Sequence, residues 1–172
     1  MTAYVALLRA VNVGGTGKLP MAELRAMAEA AGFAKVRTYI ASGNLVFESD
    51  LDEPAVKATL EAALKAHAGK PVGVVVRTAA EMADVVAANP YPKAPANRTV
   101  AIFLDAPPPA GFLAAVTGHA TEEIAPGRRE VYVHYPDGQG NSKLKIPAAR
   151  AGTARNLNTI ATLAAYAASL TL

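Results

Sequence analysis

The apolar residues between Ala3 and Arg77 switch between two spacings, and the order of the switches leaves few folds open. Ala3–Val11 is a continuous apolar, β-branched run, the mark of a buried strand. Asn12–Lys18 is Gly-rich, and Pro20 follows where a first helical turn welcomes it. Met21, Leu24, Met27 and Ala28 recur at helical spacing until Gly32 ends the run. Lys35–Ala41 then alternates, with Val36, Thr38 and Ile40 on one side and Arg37 and Tyr39 on the other. Ser42-Gly43-Asn44 supplies a turn and Leu45–Glu48 returns, which predicts a hairpin. Leu51–Ala68 carries the helical stripe Val56, Leu60, Ala63 and Leu64, and Val72–Arg77 is another short apolar strand. The order β-α-β-β-α-β is the split βαβ pattern of ferredoxin-like domains.

The second half echoes the first. Thr78 opens a helix through Ala88, with Glu81 placed as its capping-box partner. Asn89-Pro90-Tyr91-Pro92-Lys93-Ala94-Pro95 stops it and marks a boundary, giving halves 1–88 and 89–172. Thr99–Leu104 reads as a strand, Pro108–Thr117 as a short helix, Glu122–Ile124 as a short strand, and Arg129–Tyr135 as an alternating one. Beyond the Asp137–Lys143 turn, a short helical piece leads to a final helix over Ala154–Leu170 with Thr153 as N-cap. The expected class is α+β, with two ferredoxin-like halves in one protein.

Composition narrows the chemistry. There is no Cys, which excludes a disulfide scaffold, thiolate catalysis and Cys-based zinc sites. His67, His119 and His134 lie far apart and lack metal-ligand spacing. The net charge of +3 is uneven: Arg128 to Arg155 alone carries +4. A local patch of that size suits one anionic ligand better than a polyanion track, which needs many phosphate contacts. The opening residues lack a signal-peptide pattern, and Leu157–Leu172 is shorter than the ~20 residues of a membrane span, so a cytoplasmic protein without membrane contact is expected.

The short motifs are mostly negative. Gly14-Gly15-Thr16-Gly17-Lys18 follows a strand, but a Walker A reading needs Gly at Asn12 and Ser or Thr at Leu19. A turn able to hold an anion is the better reading. Ser42 lacks the G-x-S-x-G context of a nucleophile, and Ser142-Lys143-Leu144-Lys145 matches S-x-x-K without its companion elements. Glu122 and Glu123 are adjacent, so a strand points them to opposite faces, against a carboxylate dyad. Arg9 ends an apolar strand on the face of Val5 and Leu7, where it either pairs with a carboxylate or reaches a cleft. Gly152–Thr159 is polar at a predicted helix start, where free N–H groups welcome an anion. Arg155 in that first turn opposes the helix dipole, which makes sense if it shares a bound anion.

Arg9-Ala10-Val11-Asn12-Val13-Gly14-Gly15 with Met21-Ala22-Glu23-Leu24-Arg25, then Thr38–Phe47, Asn89-Pro90, Ser142-Lys143-Leu144 and Thr153–Thr159, resembles in order the blocks of the domain-of-unknown-function 1697 family. Ala10 stands where Gly is usual there, Ala41 where Gln is usual, and Leu157 where an aromatic is common. The resemblance implies an α+β fold with two ferredoxin-like halves in a cytosolic, bacterial-type protein. It implies no reaction and no cofactor.

Three functions follow as expectations. One is a site for a small phosphate- or carboxylate-bearing ligand, lined by Arg9, Asn12, Gly14, Gly15, Ser42, Asn44, Lys143, Arg155 and Asn156, at strand and helix ends where sites form. The second is RNA binding through a sheet. It is disfavoured, because Tyr4 and Phe47 are its only stacking candidates and the RNP1 pattern is missing. The third is a non-catalytic interaction domain in which Asn12, Asn44 and Asn156 are buried and satisfied by backbone groups.

Overall fold

A computed structural model describes residues 1–9 and 19–170. The chain divides into two compact units: Met1–Ala83 together with the stretch from Thr162, and Asp84–Ala161. The α+β class and the mixed order of elements are as expected.

In the first unit, β1 (Thr2–Leu8), β2 (Ala34–Thr38), β3 (Asn44–Ser49) and β4 (Val74–Thr78) form one antiparallel sheet in the order β2-β3-β1-β4. That is the strand order a split βαβ requires. Helices α1 (Met21–Ala30) and α2 (Glu53–Ala68) stand between the strands in sequence. Gly32, at φ 94°, lets the chain leave α1 for β2. Asp52 caps α2 by accepting from Ala55 N at 3.0 Å, and Gly69 closes it in the left-handed conformation. Tyr4, Ala6, Leu8, Leu45, Phe47, Val74 and Val76 alternate along the strands and meet Leu24, Ala28, Val56, Leu60 and Leu64 of the helices in one core. Tyr4 and Phe47 are both in that core, with ring centroids 5.9 Å apart. A base could not stack on them, so the sheet-borne RNA reading loses its only candidates.

The second unit repeats the strand plan with less helix. Here β5 (Thr99–Phe103), β6 (Glu123–Pro126), β7 (Glu130–His134) and β8 (Thr153–Asn156) pair antiparallel in the order β6-β7-β5-β8. The short helix expected over Pro108–Thr117 is only a 3₁₀ turn, Phe112–Ala115. Pro107-Pro108-Pro109 and Gly111, at φ 75°, break the helical path before it.

Helices α3 (Ala79–Ala87) and α4 (Leu157–Leu170) each begin directly at the end of a sheet-edge strand. The capping box at α3 forms as the spacing requires: Glu81 N donates to Thr78 Oγ1 at 3.2 Å, and Thr78 N donates to Glu81 Oε1 at 2.9 Å. The expected helix over Ala154–Leu170 needs correction. Thr153–Asn156 is β8, paired with β5 from Phe103↔Thr153 to Val100↔Asn156, and α4 starts only at Leu157. Strand pairing overrides the local helical signal there. The cap is Asn156, whose Oδ1 accepts from Thr159 N at 2.9 Å, and not Thr153. Among the described residues no helix is long and apolar enough to cross a membrane.

Both caps contribute through one side-chain hydrogen bond to an otherwise orphaned helix N–H. Thr78→Ala and Asn156→Ala each cost about 1 kcal/mol of unfolding free energy, read from urea midpoints at unchanged m-value.

Candidate functional site

The described residues singled out in the first half meet at one end of the first sheet. There β1 ends between two turns: Leu8 N donates to Gly43 O and Arg9 N to Gly73 O, each at 2.9 Å. The hairpin turn running from Tyr39 to Asn44 arrives at the same end, because Thr38↔Leu45 and Leu7↔Asn44 are paired. Asn44 is fully buried, and its Nδ2 donates to Tyr39 O at 2.8 Å and to Ser42 Oγ at 2.9 Å. Its amide therefore locks the turn rather than facing outward. Gly43 takes φ 88°, and Ile40 takes φ 49°, a costly conformation for a β-branched residue, while leaving its side chain 48% exposed. Tyr39 is held edge-on against the Tyr166 ring at 5.7 Å, and the Arg37 guanidinium covers that ring at 3.4 Å from its centroid.

Arg9 is half-buried and reaches across Gly73. A Cβ at position 73 would stand 3.0 Å from Arg9 Cδ and 3.4 Å from Nη1, so only glycine leaves the guanidinium its place without a shift. Gly73 also borders an open groove of about 330 Å³ with Glu61, Lys65 and Val72. Lys65 is exposed on the last turn of α2, whereas Glu61 is engaged by Lys57 at 3.0 Å and by Val74 N at 3.1 Å. Asn12, Gly14 and Gly15 lie outside the described residues.

Lys143, Arg155 and Asn156 belong to the second unit and have different roles. Lys143 is exposed and lines a cleft with Glu122 and Ser142. Asn156 caps α4, so the start of that helix is already served by its own side chain. Arg155 is 7% exposed and sits in β8, not in a helical first turn, so the argument from the helix dipole falls with the helix boundary. Its Nη1 donates to Thr153 Oγ1 at 2.6 Å and to Ala154 O at 2.9 Å. Burial lowers its pKa to about 10, which still leaves it charged at neutral pH.

Arg77 escapes a reading of the sequence by motifs, yet among the described residues it is the largest fully buried side chain, 1% exposed. Its Nη1 donates to Val76 O at 3.1 Å. The missed signal was the recurrence of Arg-cap-helix: Arg77-Thr78 before α3 and Arg155-Asn156 before α4.

Two substitutions separate structural from binding roles. Asn44→Ala leaves Tyr39 O without its amide donor and destabilises by about 1–3 kcal/mol. Arg155→Ala removes charge-assisted bonds from a buried strand and costs about 2–3 kcal/mol without ligand, whereas exposed Arg128→Ala stays within about 0.5 kcal/mol. Chemical denaturation of the three variants checks both.

Comparison with known proteins matches this picture. A solved structure described as a conserved bacterial protein, SP0830 from Streptococcus pneumoniae, superposes with a TM-score of 0.78 at 22% identity, covering 98% of this chain and 99% of that one. At that identity the likeness speaks for the fold. No curated protein matches the chain. The model of the family described as "Protein of unknown function (DUF1697)" matches residues 1–132, and the chain belongs to that family.

Proposed function

We propose that this protein binds a small phosphate- or carboxylate-bearing molecule at the end of the first sheet, with Arg9 as the group that holds its anion. The observation that carries the reading is the seat of Arg9. Its side chain lies over a glycine that a Cβ would crowd, and that glycine borders a groove that also carries Lys65. A planar guanidinium is suited to bidentate contact with a carboxylate or phosphate. The chain enters the Gly14-Gly15 segment five residues after Arg9, and a glycine-rich stretch can bring backbone N–H groups close to an anion. The strained, exposed Ile40 and the locked turn beside it fit a rigid rim for such a site.

Thermal shift against inorganic phosphate, glucose 6-phosphate, adenosine monophosphate and succinate tests it. A compound present at a hundred times its Kd stabilises the fold by about 2.7 kcal/mol. Wild type and Arg128→Ala are expected to show that shift for at least one phosphate-bearing compound, and Arg9→Gln to lose it. A shift that survives in Arg9→Gln, or no shift with any of the four, contradicts the reading.

A further inference from the structure

A second site stands in the second unit, in the cleft that Lys143 borders with Glu122 and Ser142. The segments around 117–122 and 135–145 are zipped at one end, where Thr117 N donates to Lys145 O at 3.0 Å and Lys145 N donates to Thr117 O at 2.8 Å. Gly118, at φ 69°, allows this approach, since a Cβ there would fall 2.0 Å from Lys143 O. Further on, Thr121 Oγ1 donates to Asp137 at 2.6 Å and Asn141 Nδ2 to Asp137 O at 2.9 Å. Between these ties lies a cavity of about 150 Å³, lined by Glu122, Tyr135, Asp137, Asn141, Ser142 and Lys143.

Glu122 is the unusual member. It is 7% exposed, and its oxygens accept from Ala120 N at 2.7 Å and Ser142 Oγ at 2.5 Å. Among the described residues neither lysine nor arginine forms an ion pair with it. Those neutral donors, Ser142 foremost, hold its pKa below the usual carboxylate value, so it stays ionised. The His119 imidazole also lies beside Glu122, its Nε2 meeting the Glu122 carbonyl oxygen, and each carboxylate oxygen keeps acceptor capacity beyond its single donor. Lys143, next to Ser142 in the chain, is exposed at the rim.

We infer that this cavity is a binding site for a small primary ammonium compound, its charge set against Glu122 and a neighbouring hydroxyl or amine directed at Asp137 and Asn141. The space holds several waters, enough for a small amino alcohol. An anion is refused there by Glu122 itself, which separates this site from the anion site proposed at Arg9.

Amide NMR titration of the full chain with ethanolamine, and with acetate as the anionic control, tests the inference. Ethanolamine is expected to move the Ala120, Thr121, Asn141 and Ser142 resonances to saturation, and acetate to leave them in place. Glu122→Gln, checked for folding by circular dichroism, should weaken ethanolamine binding about tenfold or more. Lys143→Ala should bind at least as well as wild type, because it removes a cation from the rim. Equal effects of acetate and ethanolamine on wild type overturn the proposal, as does undiminished binding by folded Glu122→Gln. The wild-type comparison decides the matter even where Glu122→Gln does not fold.

Discussion

A guanidinium buried in a β-sheet cannot shed its charge at neutral pH, so the backbone around it has to be arranged to receive it. Each unit of this protein meets that constraint in the same way. Arg77 stands opposite Val5 on the edge strand β4, and Arg155 stands opposite Ala101 on the edge strand β8. Each donates to the carbonyl of the residue before it, Val76 O or Ala154 O. Each is followed at once by a capping residue, Thr78 or Asn156, and then by a helix. The arginine satisfies a carbonyl of its own edge strand, and the cap begins a helix by accepting from its N–H. Strand and helix join without a loop.

The same economy frees the opposite ends of the strands for other work. In the first unit, the end of β1 is fixed by two backbone bonds, to Gly43 and Gly73, while Asn44 locks the hairpin turn from inside. Rigid supports of this kind are what a binding group needs if its own rotamer is to be set before a ligand arrives. Gly73 leaves the room that the Arg9 side chain takes beside them. In the second unit the helices of the plan shrink to 3₁₀ turns, and the long connections gain polar ties instead, among them Thr121 to Asp137 and Ser142 to Glu122.

Periodicity made the first unit legible, because its strands alternate and its helices carry full apolar stripes with proper stops at Gly32 and Gly69. The capping box at Thr78 was equally open to reading, since its two partners are three residues apart. Thr153–Asn156 was not, because what makes it a strand is pairing with β5, some fifty positions away in the chain, and no local signal reports that. Arg155 was misplaced for the same reason. Arg77 went unnoticed inside an apolar run, although its likeness to Arg155-Asn156 was available as a repeat. Ser42 and Asn44 were found as turn residues, and the structure gives Asn44 that role in full. The bond from Ser142 to Glu122 joins positions twenty apart that no motif links.

The account places recognition of an anion where β1 ends, and the backbone amides there report on it directly. With ¹⁵N-labelled protein and inorganic phosphate as titrant, the amides of Leu8, Arg9, Gly43, Asn44 and Gly73 should shift together along one saturable curve, while those of β8 and α4 stay in place. Shifts centred on Thr153 to Thr159, with the β1 end unmoved, would contradict it.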